Sequence, residues 1–304
     1  MLSIKGDCGV DIRQLSYFIG VAEHRSFTKA AEALHVTQPT LSKMIRALED
    51  ELAAQLFDRT VTPIELTDAG AALLPSAKQV VRGMERIKSE MDDVVHLAQG
   101  TVRLGIPPMI GMRFFPAAIE RFHARYPGIQ LEMIEQGGRR IEADIEHGAL
   151  DIGFVIEPIA HSERFHAHPC IDEQLRLVMH PEHRLASRGS VELTELSAES
   201  FVLFREEFTI RHLIADACMR AGYQPQVAFE SAQWDFIAEM VGIRLGVTLL
   251  PESVCRLLST DRFRVVPIAP QPIPWRMSMI WRRDHYISHA ARAWIQSIRE
   301  QPLS

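Results

Sequence analysis

The sequence predicts an α + α/β chain: a helical N-terminal unit, a long linking helix, and a C-terminal α/β unit built in two halves. Three observations carry this. Residues 26–46 hold two short capped helices in tight succession. Apolar residues from Leu73 to Ala98 recur four and three apart, and from residue 101 onward strand-like and helix-like stretches alternate. At 304 residues, with 47% hydrophobic and 24% charged content, the chain has the length of two domains and an ordinary globular composition.

The first element is a helix in which Ile12, Leu15, Phe18, Ile19 and Ala22 recur at helical spacing. The next stretch, SFTKAAEALHVTQPTLSKMIR, runs from Ser26 to Arg46. Ser26 or Thr28 can cap a helix whose apolar positions are Ala30, Ala31 and Leu34. After a break at His35-Val36-Thr37, Thr37 can cap a second helix with Pro39 in its first turn, where a missing N–H costs nothing. That helix buries Leu41, Ile45 and Leu48, and its other face carries Gln38, Thr40, Ser42, Lys43 and Arg46. The small Ala30-Ala31 pair lets the two helices cross closely, as a helix-turn-helix requires.

A glutamine can read adenine edges, hydroxyls bond bases or phosphates, and cations hold the backbone. The DNA-binding set is therefore Ser26, Thr28, Lys29, Thr37, Gln38, Pro39, Thr40, Ser42, Lys43, Arg46 and Arg59. Within it Gln38, Thr40, Ser42 and Lys43 face bases, while Ser26, Thr28, Lys29, Arg46 and Arg59 face phosphates. Paired capped helices also occur in proteins that bind no DNA, so the pattern alone leaves a purely structural role open. Bulk charge does not advertise the function, since the net charge is −6. The acids cluster at Glu49-Asp50-Glu51, behind Lys43 and Arg46.

Leu48, Leu52, Leu56 and Phe57 continue the apolar stripe into TVTPIELT, a tight hairpin or wing with Ile64 and Leu66 inward. Thr67 with Asp68 caps a helix reaching about Ala98. Leu73, Ala77, Val80, Met84, Ile87, Met91, Val94 and Ala98 form a narrow heptad seam along it, the pattern of a two-stranded coiled coil rather than of a helix packed on its own domain. Pro75 is expected to bend its second turn. Paired chains would impose a palindromic DNA site.

VRLGIP, IQLEMIE and LDIGFVIEP read as strands separated by two helices, a βαβαβ run that implies a parallel sheet. The alternation resumes with LRLVMH, FVLF, IRHLIADACMRAGY, VAFE and WDFIAEMVGIRLGVTLLPES, then FRVVPI, MSMIW and the helix HAARAWIQSI. Two linked α/β subdomains with a hinge are the arrangement of periplasmic binding proteins. Ligands gather at the carboxyl ends of strands in such sheets, hence in the cleft. The ligand-binding candidates are Pro107, Pro108, Met109, Ile110, Glu135, Phe204, Arg205, Ser231 and Trp234. Arg205 could pair with a carboxylate and Trp234 could wall the site. As plain structure, Arg205 is a surface cation and Trp234 a core residue.

From DIRQLSYFIGVAEHRSFTKAA through LFDR to ELTDAG, the chain resembles LysR-type transcriptional regulators. The resemblance covers residues 11 to about 298. It implies a winged helix-turn-helix domain at 11–66, a linker and dimerisation helix at 67–99, and a periplasmic-binding-protein-like effector domain at 100–304. Subdomain I would comprise 101–160 and 268–304, and subdomain II 161–267. It further implies a homodimer assembled into a homotetramer, an inverted-repeat operator, contact with RNA polymerase, and no cofactor. GIPPMIG, FESAQWDFIAEMV, LGVTLLPE and PWRMSMIWRRDHY resemble the subgroup controlling Cid-type holin-like operons and overflow carboxylate metabolism. That points to a small organic acid as inducer.

The chain departs from these relatives in four places. Val61, Thr62 and Pro63 occupy a wing tip that is often basic. Ala53 replaces a frequent glycine with no consequence visible in the sequence. Pro107-Pro108 stands where many relatives hold a carboxylate with serine or threonine. Relatives also begin just before the equivalent of Ile12, so translation is expected to start at Val10, and mass spectrometry finding residues 1–9 would overturn that.

The rival readings are weaker. His166, His168, His180 and His183 lack the acids or cysteines of a metal sensor. GxSxG, HExxH, Walker and GxGxxG motifs are absent, against an enzyme. A solute-binding protein has no use for residues 26–46. Cys8, Cys170, Cys218 and Cys255 show no CxxC spacing, no apolar run approaches the roughly 20 residues that span a bilayer, and the N-terminus lacks a signal-peptide core. The expected home is the cytoplasm, with no membrane partner. The alternative kept open is a DNA-binding regulator with no small-acid ligand, either constitutive or responsive to metal or redox.

Overall fold

The computed structural model describes residues 9–95, 99–108, 111–283 and 285–303. Residues 1–8 of the segment ahead of the expected start at Val10, the seam side chains at Met91, Val94 and Ala98, and the ligand candidates Met109 and Ile110 lie outside what is described. The chain divides into two compact units, Met1–Met91 and Asp92–Ser304.

In the first unit, α1 (Ile12–His24) opens on Asp11, which forms a reciprocal capping box with Gln14. α2 (Phe27–Ala33) is capped by Ser26; Thr28 lies exposed within it. His35 adopts a left-handed φ of 53°, and the Val36 N–H returns to the Ala31 carbonyl. This closes α2 and turns the chain into α3 (Gln38–Glu51), which Thr37 caps. Phe18, Ala30, Ala31, Leu41, Ile45 and Leu48 form the buried centre where the three helices meet. The wing is a hairpin of β1 (Phe57–Asp58) and β2 (Glu65–Leu66), with Ile64 and Leu66 packed inward.

α4 (Asp68–Val95) starts under Thr67, whose hydroxyl accepts the Gly70 N–H and donates to the Gln55 carbonyl. A Cβ at Gly70 would lie 2.1 Å from the Leu56 carbonyl oxygen, so this crossing requires glycine. Leu73, Leu74, Ala77 and Val81 pack into the N-terminal core. Two sequence expectations are thereby corrected. The linker is not separate from residue 67, and the first two seam positions, Leu73 and Ala77, serve the chain's own domain. Val80, Met84 and Ile87 remain 53%, 43% and 54% exposed.

The second unit begins β3 (Gly100–Ile106), α5 (Gly111–Arg125), β4 (Ile129–Glu135), α6 (Gly138–Glu146) and β5 (Ile152–Ile156), with β3 parallel to both β4 and β5. β6 (Phe165–Met179) follows, then β7 (Ser200–Phe204), α7 (Thr209–Arg220), β8 (Gln226–Ser231) and α8 (Trp234–Gly242). The chain closes with β9 (Thr248–Pro251), α9 (Glu252–Cys255), β10 (Arg264–Pro267), β11 (Pro274–Arg282) and α10 (His289–Glu300). β7 and β8 are parallel.

β6 belongs to both halves. Residues up to Gln174 pair with β11 in the first, and residues from Leu175 pair with β9 and β10 in the second. The expected subdomain boundary at 161 therefore moves into this strand. Sequence periodicity caught only its apolar end, LRLVMH. The first part carries His166, His168 and Pro169, and the proline is tolerated because the ladder shifts register beside it.

Candidate DNA interface and effector cleft

On α3 the exposed residues are Gln38, Pro39, Thr40, Lys43, Arg46 and Ala47, with Ser42 half-buried on their flank, and Asp50 and Glu51 exposed in the last turn. The opposite stripe, Leu41, Ile45, Leu48 and Glu49, is buried. Thr40 is held at the helix entrance: its N–H meets the Thr37 hydroxyl at 3.4 Å, and the two hydroxyls lie 2.8 Å apart. Lys29, Lys43 and Arg46 form no ion pair with any described residue. Arg25, Arg59 and Lys78 are paired with Glu65, Glu49 and Glu23. The structure thus separates free cations on the reading face from cations spent inside the unit.

The sequence groups Glu49 with Asp50 and Glu51 as an acidic cluster following Lys43 and Arg46. Glu49 is buried, and Arg59, assigned to phosphate, lies 2.6 Å from it. The signal was available, since Glu49 falls four residues after Ile45 on the buried stripe.

In the second unit, a small cavity lies where the strand ends of both halves meet. Pro107 and Pro108 after β3, Gly138 at the start of α6 and Ile156 at the end of β5 face Phe204 at the end of β7. Phe208, Thr209 and Ile210 at the start of α7, with Ala232 before α8, complete the lining. Its volume is about 20 Å³, room for about one water. The N-cap residues of α6 and α7, Gly137 and Phe208, make no side-chain cap, which leaves first-turn N–H groups available.

Of the sequence candidates, Pro107, Pro108 and Phe204 line this cavity. Glu135 and Arg205 are exposed outside it. Ser231 is buried and accepts the Gln233 N–H, and Trp234 is half-buried against the core. Gly138, Ile156, Phe208, Thr209, Ile210 and Ala232 were missed. The strand-end rule that selected Phe204 would have selected Ile156 had β5 been followed to its end, but apolar side chains carry no individual signal.

The thiols are arranged for packing. Burial pushes the Cys170 thiol up to about 11 and that of Cys255 up to about 12, and it also raises that of Cys218. Among the described residues, no group of three or more histidine, cysteine, aspartate or glutamate side chains is placed to hold a metal ion, and no helix is long and apolar enough to cross a membrane.

A winged helix-turn-helix with a free-cation reading face, followed by a two-lobed α/β unit with a strand-end cavity, defines a DNA-binding regulator. Residues 12–71 match the family described as bacterial regulatory helix-turn-helix protein, lysR family, and residues 96–302 match the LysR substrate binding domain. The chain belongs to the LysR family of transcriptional regulators, which are not enzymes.

It is 43% identical over 287 residues to the HTH-type transcriptional regulator YwbI of Bacillus subtilis, covering 94% of this chain and 95% of that one. It is 31% identical to the DNA-binding transcriptional dual regulator OxyR of Escherichia coli, over 80% of this chain and 79% of that one. Its fold is that of CbnR complexed with its target DNA, with a TM-score of 0.74 at 21% identity, covering 96% and 99% of the two chains. Full-length OxyR from Pseudomonas aeruginosa matches with a TM-score of 0.72 at 25% identity, covering 95% of each.

Proposed function

We propose that this regulator is controlled by a small organic acid bound in the effector cleft. The observation that carries the reading is the cavity itself. Apolar walls from both halves converge with the uncapped N-termini of α6 and α7, which offer N–H groups and a positive dipole end to a carboxylate. The head group would thus be met by backbone and by Thr209 rather than by Arg205, and the walls would be Pro108, Ile156, Phe204 and Phe208 rather than Trp234. This suits the resemblance to regulators of Cid-type operons and overflow carboxylate metabolism. A cavity of about 20 Å³ cannot take an acid of several carbons unless its walls part.

DNA would be read by Gln38, Thr40, Ser42 and Lys43, with Lys29 and Arg46 on phosphates. Chains would pair along α4 through Val80, Met84 and Ile87, placing two reading helices on an inverted repeat in the cytoplasm. Tetramers would form through the effector units, and the ligand would alter how the assembly meets DNA and RNA polymerase. A redox reading draws on the OxyR relative and on five relatives described as hydrogen peroxide-inducible genes activators. The thiols of Cys170, Cys218 and Cys255 oppose it, because a sensing cysteine needs a lowered pKa and exposure.

The test is a titration of the full chain with small carboxylates and their neutral analogues, following tryptophan fluorescence and thermal midpoint. A saturable response to an acid, abolished by Ala232→Leu, which fills the cavity, and weakened by Thr209→Val, supports the reading. A response that survives Ala232→Leu, or one to the neutral analogue alone, sinks it.

A further inference from the structure

Glu49 lies in the last turn of α3 with its side chain 2% exposed. One carboxylate oxygen accepts the Leu56 N–H at 2.9 Å and the Phe57 N–H at 3.4 Å, and the other meets the Arg59 guanidinium at 2.6 Å. That guanidinium stands 5.3 Å over the ring of Phe27, the first residue of α2, and Phe27 meets Phe57 edge-on at 5.8 Å. A single buried carboxylate thus joins the reading helix to the first residue of the wing and, through Arg59 and Phe27, to the other helix of the pair. Burying a carboxylate is costly unless its lone pairs are met, and here two N–H groups and a cation meet them.

The wing needs such a tie. Its strands are two residues each, too short to hold a direction alone. Of the hairpin's two acids, Asp58 accepts the Thr60 N–H at 2.8 Å and its hydroxyl at 2.6 Å, and Glu65 pairs with Arg25 on the exposed side.

We infer that Glu49 and Arg59 are positioning residues that fix the wing against the reading helix, and that Arg59 is not a phosphate ligand. This rests on α3 being the groove-reading helix. The two assignments make opposite predictions. Glu49→Gln keeps the shape and the acceptor for the wing N–H groups while releasing Arg59. If Arg59 held a phosphate, removing its competitor would tighten DNA binding. The bracket requires binding to weaken, by roughly tenfold, the scale of one charge-assisted hydrogen bond. Arg59→Lys keeps the charge, which suffices for a phosphate, but loses the fork and the stacking on Phe27.

The experiment measures operator affinity of the full chain across salt concentrations for Glu49→Gln, Arg59→Lys and Arg59→Ala, with Arg46→Ala as reference and melting curves to verify folding. Expected are weaker binding for the first three with the salt slope unchanged, and hydroxyl-radical protection lost only on the DNA flank beyond the α3 contacts. Arg46→Ala should instead flatten the slope by about 0.9, the value of one phosphate contact. Tighter binding by Glu49→Gln, rescue by Arg59→Lys, or a flattened slope at Arg59→Ala overturns the inference. An Arg46→Ala variant with wild-type affinity would locate the failure in the reading helix instead. If Glu49→Gln does not fold, Arg59→Lys, at the partly exposed end of the bracket, decides.

Discussion

Ala53 shows how one backbone angle carries information that a side chain hides. α3 ends in a Schellman motif: the Ala54 N–H bonds the Glu49 carbonyl at 3.0 Å and the Ala53 N–H bonds that of Asp50 at 3.2 Å. Ala53 occupies the left-handed position with φ 47°, where a Cβ is strained and glycine is not. The substitution that looked inconsequential in the sequence therefore has a cost. Ala53→Gly should stabilise the N-terminal unit by about 1 kcal/mol despite the added freedom of the unfolded chain, read as a higher urea midpoint; a lower midpoint would contradict it.

The thiols are the other residue-scale case. A folded thiol that holds its proton more tightly than the unfolded chain adds stability below pH 9.0 and loses it as pH rises toward its folded value, about 11 for Cys170 and about 12 for Cys255. The thermal midpoint should fall above pH 9, less steeply in Cys255→Ala. Rapid modification of the folded chain by a disulfide reagent at neutral pH, persisting in Cys8→Ser, would reopen a redox role.

At the scale of elements, what was legible in the sequence followed periodicity and caps. Ser26, Thr37 and Thr67 sit where a hydroxyl precedes an apolar-periodic run, and all three cap their helices. The strand ends located Pro107, Pro108 and Phe204 for the same reason. What stayed illegible depends on contacts between distant segments. Nothing local marks β6 as one strand shared by two sheets, or Glu49 as a buried bracket, because each answers to partners far along the chain. α4 combines both kinds of information. Its four-three spacing was readable, but only three dimensions show that Leu73 and Ala77 turn inward while Val80, Met84 and Ile87 stay exposed. Three large apolar side chains on one helical stripe are the pattern of a two-stranded seam. Met84→Glu places like charges at that seam and should shift the chain toward monomer in sedimentation, with operator affinity falling while the far-UV spectrum stays unchanged. A variant that remains fully paired would move the interface elsewhere.

For the effector unit as a whole, the decisive contact is where its halves touch beside the cavity. A Cβ on Gly137, in the first half, would lie 2.9 Å from the Glu207 carbonyl oxygen of the second, and one on Gly138 would lie 3.2 Å from the Thr209 hydroxyl. The first obstacle is backbone and cannot move aside; the second is a side chain that can rotate. Gly137→Ala should therefore hold the halves apart, and Gly138→Ala should do so less. A ligand shifts a conformational equilibrium only as far as it prefers one state, and its apparent affinity scales with the fraction of chains already in that state. An acid admitted by parting the walls must bind Gly137→Ala more tightly than the wild type, with the cavity-filled Ala232→Leu as the blank. Weaker binding to Gly137→Ala would mean that the acid is held by closure, with the N–H groups of α6 and α7 gripping it from both halves, so the sign of one affinity ratio assigns the direction in which this regulator is switched.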